Sequence, residues 1–141
     1  MTGDLVTIRQ AIRTALAVNG WTVSRWTADQ FGADTDSVLH HAFALSTPDT
    51  LAKQPEGRQR ASEGLRNVDT AVYVLWAHRI RGDNQVADED AALEAEQELA
   101  VRLKAIIGLH IMFEKLSRRA GPEGYLLGRI ELRVQHNYAL T

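Results

Sequence analysis

Residues 125–138 constrain this chain more than any other stretch. Leu126, Ile130, Leu132, Val134 and Tyr138 fall on one parity; Arg129, Glu131, Arg133, Gln135 and Asn137 fall on the other. Successive strand residues point to opposite faces of a sheet, so the pattern predicts one long strand with an apolar face and a charged face. A polar face this regular is either solvent-facing surface or a surface reserved for another subunit.

The elements that must cover the apolar face are legible elsewhere. Leu5, Ile8, Ile12, Ala15 and Leu16 recur at helical spacing and predict an amphipathic helix over residues 4–18, with Arg9 and Arg13 on its outer side. Thr2 or Asp4 can cap its start, and Asn19-Gly20 stops it. A second helix is expected over residues 86–107. Its stripe is Ala92, Ala95, Leu99, Leu103 and Ile106, widened by Ala100 and Ile107. Asp88, Glu89 and Asp90 crowd its first turn, where the helix dipole favours negative charge, Glu98 and Arg102 form an i,i+4 pair, and Gly108 ends it.

Short strands are expected over residues 21–26 and 38–46, the second with Leu39, His41, Phe43 and Leu45 on one face. Residues 27–37 read as a loop. Residues 68–80 carry apolar side chains on both faces: Val72, Val74, Trp76 and Ile80 on one, Ala71, Tyr73, Leu75 and Ala77 on the other. That marks a central strand covered on both sides, and in a small domain the second cover can be a neighbouring subunit. Residues 109–117 and 125–138 form two closing strands around a turn over 118–124.

Residues 47–67 break the pattern, with Pro48, Pro55, Lys53, Arg58, Arg60 and Arg66 diluted by Asp49, Glu56 and Glu63. They read as a long loop, either a surface excursion or an arm that orders on a partner. The whole is one domain, residues 1–141, with 47–67 as a loop insertion. The expected fold class is α+β: a mixed, mostly antiparallel β-sheet with two amphipathic helices packed on one face.

Composition narrows the function classes. The formal net charge of −2 gives no sign of nucleic-acid or membrane affinity. The chain has no cysteine, so neither disulfides nor thiolate chemistry contributes. The first residues, Met1 to Val6, lack the pattern of a signal peptide, and no apolar run approaches the ~18 residues that span a bilayer.

Chemistry is sparse. His40 and His41, read as adjacent strand residues, would point to opposite faces and could not share a metal. His78, His110 and His136 sit on other strands, and no ligand spacing of the H-x-x-x-H kind links any of them. They read as strand-surface or core histidines, and no metal or cofactor is expected. The acids Asp88, Glu89, Asp90, Glu94 and Glu96 read as a solvated helix start, not as a carboxylate pair with separated pKa values. No nucleophile elbow, G-x-G-x-x-G or P-loop is present, so no catalytic residues are assigned. Trp21 and Trp76 read as core, with Trp26 the exception that could serve as a ligand platform.

Several segments carry a resemblance. They are Arg9-x-Ala11-Ile12-Arg13-x-Ala15-Leu16, Gly20-Trp21-Thr22-Val23 and Val38-Leu39-His40-His41-Ala42-Phe43. Beyond the insertion come Val72-Tyr73-Val74-Leu75-Trp76-Ala77 and Trp76-Ala77-His78-Arg79-Ile80-Arg81-Gly82-Asp83. In their order, with a β-hairpin carrying the long insertion, these segments resemble the tail terminator, or tail completion, proteins of long-tailed bacteriophages. The resemblance covers nearly the whole chain and rests on element order and texture. It implies a structural virion protein without enzymatic activity, located at the tail-neck junction after assembly in the host cytoplasm. Such a protein caps the tail tube as a homo-hexameric ring. Its partners would be itself, the tail tube protein and the head-tail connector or stopper protein; DNA would pass through without specific binding, and no membrane would be involved.

The residues expected at subunit or partner contacts are Arg58, Arg60 and Arg66 of the insertion, Tyr73 and Leu75 of the central strand, and Arg129, Glu131 and Arg133 of the last strand. The two arginines of that strand are expected to meet acidic partners at a subunit contact and not to face the DNA path, with Asp88-Glu89-Asp90 a candidate. The alternative is a small α+β ligand-binding or hydrolytic domain with a site lined by His40, His78 or His136.

Overall fold

The computed structural model describes residues 5–25, 27–32, 40–52, 68–80, 82–122 and 124–136. Among these residues the elements run in the order α1 (Leu5–Leu16), β1 (Thr22–Val23), β2 (Ala42–Ser46), β3 (Thr50–Ala52), β4 (Val68–Arg79), α2 (Gln85–Lys104), β5 (His110–Ala120) and β6 (Tyr125–His136). The strands make one sheet in the order β1-β2-β4-β6-β5, with β3 also on β4. Every pairing is antiparallel except β1 with β2. This is the expected α+β class.

The sheet is built on β4 and β6, paired without interruption from Val68–His136 to Arg79–Tyr125. Paired residues share a face, so Val72, Val74 and Trp76 stand beside Leu132, Ile130 and Gly128 on one side. Onto that side α1 places Ile8, Ile12 and Leu16, and α2 places Ala92, Ala95, Leu99 and Leu103. Phe43, Leu45 and Trp21 complete the core. Each large apolar side chain buried in this layer contributes about 1.5–3 kcal/mol, which is why two modest helices hold the face shut.

The helix ends follow the chemistry of their residues. Asn19 and Gly20 both adopt positive φ and turn the chain out of α1. Asn84 caps α2 by accepting a hydrogen bond from the Ala87 amide at 3.2 Å. The helix ends at Lys104, so Ile107 lies beyond it and is 93% exposed instead of widening the apolar stripe. Ile106 packs on the core as expected. Glu98 and Arg102 form their i,i+4 ion pair.

Three sequence readings are corrected. The strand expected over 21–26 has two residues, Thr22 and Val23, and it pairs in parallel with β2. Within the expected insertion, Thr50–Ala52 forms β3 on the same edge of β4 as β2; the Asp49 carbonyl accepts from the Ala71 amide at 3.0 Å between them. β2 and β3 are thus one interrupted edge, and the insertion begins later than residue 47. The turn expected over 118–124 is shorter, because β5 runs through Ala120. β4 is, as read, a central strand with cover on both faces, and part of the cover on its second face comes from its own chain. Phe31, in the loop after β1, packs on Ala42, Ala44, Ala77 and Leu127. Tyr73 and Leu75 stay half-buried on that side.

Candidate functional site

The side of the sheet away from the helices carries the polar row read from the sequence. Arg129, Glu131, Arg133 and Gln135 of β6 lie here, beside Leu75, Tyr73, Ala71 and Asp69 of β4. The arginines find partners within the chain. Arg129 sits 5.3 Å from the centre of the Tyr73 ring and 3.5 Å from Glu131. Arg133 bonds Glu114 and approaches Asp49 at 3.9 Å. Asp88-Glu89-Asp90 begins α2 on the opposite face of the sheet, and within one chain the arginines meet Glu131, Glu114 and Asp49; the pairing expected with the acidic turn is one between subunits.

A groove of about 660 Å³ crosses this face between the Phe31 loop and β5. Tyr73, Leu75 and Arg129 line it together with Lys115, Arg119 and Asp29. Three of the expected contact residues therefore converge on one concave, net basic surface. Glu131 and Arg133 continue the row along β6. Arg58, Arg60 and Arg66 lie outside the described residues, as do Trp26, Leu39 and Tyr138.

The edge of the sheet is a second exposed feature. β5 is eleven residues long and, among the described residues, pairs with β6 alone, which makes it the edge strand of the described sheet. The ladder places Phe113 opposite Leu132 and Leu116 opposite Ile130, which points both toward the helix side. α2 packs over β4 and β6, and Phe113 and Leu116 remain 38% and 37% exposed.

The histidines are arranged differently from the expectation. His41 precedes β2 and has φ 59°, in the left-handed region, so alternation does not apply to it. His40 and His41 consequently stack, with ring centroids 3.8 Å apart. His78, at the end of β4, completes the group: His41 Nε2 and His78 Nδ1 are 3.0 Å apart. His40 Nδ1 accepts from the Arg79 amide at 3.0 Å. Trp21 stacks on the other side of His41 at 4.2 Å. Burial holds His41 down at about 4, with the neighbouring His40 and His78 adding to the effect. His78 is lowered by burial and by His40, against the opposing pull of the Asp88 carboxylate. The sequence signal for this cluster was His40-His41 at the mouth of a strand, where the extended backbone has not yet begun.

His136 does not join it. It is buried, and its Nε2 lies 2.6 Å from the Thr70 hydroxyl, which in turn bonds Thr50 at 2.8 Å. His110 is exposed at the start of β5. Of the three histidines named for a ligand site, the fold thus joins His40 and His78, adds His41 and leaves out His136. Glu96 also departs from its reading as a solvated acid. It is 2% exposed and accepts hydrogen bonds from Arg118, from Nε at 3.1 and 3.2 Å and from Nη2 at 2.5 Å. Its position between Ala92 and Leu99 on the apolar stripe was the available signal.

No protein-family model matches the chain, and no curated protein does.

Proposed function

We propose that this chain is a structural assembly protein of the tail terminator kind: a ring-forming subunit that closes a phage tail tube and joins it to the head connector. The observation that carries the reading is the long edge strand β5, which has no second strand partner among the described residues, with Phe113 and Leu116 exposed beside it. Unpaired strand edges and uncovered apolar side chains are the surfaces on which subunits join. The concave polar face, with Tyr73, Leu75 and Arg129, supplies a different surface for the other side of the contact. Two unlike surfaces on one chain make a head-to-tail interface, the kind that closes into rings. The element order adds the family resemblance, and the protein then has no catalytic task.

Negative-stain microscopy tests this, on the purified chain alone and mixed with tail tubes of its own phage. Rings, or caps on tube ends, are expected. A monomer that leaves tube ends bare and elongating overturns the reading.

A further inference from the structure

We propose that His40, His41 and His78 form a binding site for a divalent transition metal, with zinc the ion of first choice. The site stands on its own geometry and is independent of the assembly reading. Each residue offers one ligand atom, and these atoms all lie within 4.8 Å of one another. Metal–nitrogen bonds of ~2.0–2.1 Å place two imidazole nitrogens of a tetrahedral site roughly 3.3 Å apart. His41 Nε2 and His78 Nδ1 are already 3.0 Å apart, so a metal can enter between them with small side-chain movements. Imidazole nitrogen is a donor suited to zinc, copper and nickel, and three such donors leave a fourth position for water.

The site is held from several sides. The His41 carbonyl accepts from the Thr22 amide at 3.0 Å, and the His41 amide donates to the Ala77 carbonyl at 2.9 Å. Its backbone is therefore fixed to β1 and β4 at once. His78 is buried and locked into the ladder opposite Leu126. Trp21, itself part of the core, stacks on the His41 ring and backs it from the interior. A site whose two central ligands are preset loses little freedom on binding.

Proton balance is simple. The neutral His41–His78 pair shares one proton between the facing nitrogens. That proton moves to the far nitrogen of its ring, and both facing nitrogens then present lone pairs. His40 is stacked on His41 with ring planes 21° apart, so it enters by swinging out of that stack and giving up its hydrogen bond with the Arg79 amide, where water takes its place. The Asp88 carboxylate, on the first turn of α2, already acts on His78 and supplies negative charge toward the cation. The bound metal would fasten the start of β2 to the end of β4, residues distant in sequence.

The test is calorimetric titration of the untagged, chelator-treated chain with zinc chloride, followed by the visible absorption of the cobalt(II) form. One zinc per chain with micromolar or tighter affinity is expected, with a cobalt spectrum of tetrahedral character and a rise in Tm on adding zinc. His40→Gln and His78→Gln should each weaken zinc at least tenfold, whereas His110→Gln should leave it unchanged. His40 is exposed, so His40→Gln keeps the fold, and circular dichroism checks that it does. Affinity in the millimolar range, or equal affinity in wild type and both site variants, overturns the proposal.

Discussion

Gly128 faces Trp76 across the β4–β6 ladder, and the indole occupies the space where any other residue would carry its Cβ. A Cβ built on Gly128 falls 1.9 Å from Cε2 and 2.2 Å from Nε1 of Trp76. Trp76 is fully buried, and its Nε1 has no hydrogen-bond partner among the described residues, so the fit of the ring against Gly128 is what its placement rests on there. Gly128→Ala should therefore destabilise the fold by about 3 kcal/mol or more, at the upper end of overpacking costs. Urea unfolding measures this, and Trp76→Leu in the Gly128→Ala background should recover part of the loss.

The Glu96–Arg118 pair ties α2 to the outer strand. Arg118→Ala leaves a buried carboxylate unpaired, a change that costs ~3–5 kcal/mol when both partners are buried. Arg118 keeps 40% of its side chain exposed, so about 2 kcal/mol is expected here. Adding Glu96→Gln to Arg118→Ala should restore part of it. A thermodynamic cycle across the single and double variants checks the coupling.

Acid should loosen the metal-free chain through His41. Its folded-state value of about 4 lies below the ordinary 6.5. The unfolded chain then takes up the proton first, so stability is present above 6.5 and is lost as pH falls from there toward 4. His78 shifts in the same direction, opposed in part by Asp88. Denaturation midpoints measured between pH 7.5 and pH 4.5 should fall steadily, and His41→Asn should flatten the slope.

Leu116→Lys and Phe113→Lys should separate folding from association. Both side chains are more than one-third exposed, so each change should alter stability by less than about 1 kcal/mol. A charge on the β5 edge should nevertheless block subunit contact. Light scattering and thermal unfolding on the same samples give the two readouts.

Periodic elements were legible in the sequence because period reports burial directly. The alternation of Ile130, Leu132 and Val134 and the helical stripe of Ile8, Ile12 and Leu16 both face the core as read. What period does not report is the neighbour. Thr22 and Val23 gave no sign of parallel pairing, since β1 is fixed by bonds to His41 and Phe43. The contact row Tyr73, Leu75 and Arg129 was readable as a face, but its groove depends on Phe31 folding back, a contact between distant residues. The histidine cluster was hidden by a single left-handed backbone at His41, where a local rule of alternation fails.

The β4–β6 ladder also sets the order in which the molecule can form. It joins Val68 to His136, 68 positions on, and Arg79 to Tyr125, 46 positions on. The β5–β6 hairpin, by contrast, closes from Ala120 and Leu126 outward with a short loop. Chain closure favours the hairpin, so it and α2 arise early, while the central ladder waits for β4 to find its place between β2 and β6. Folding should run on the slow, millisecond-to-second scale of proteins dominated by non-local pairing. During that interval the inner edge of β6 stands open, and the twelve residues of β4 are the segment of this same chain shaped to close it.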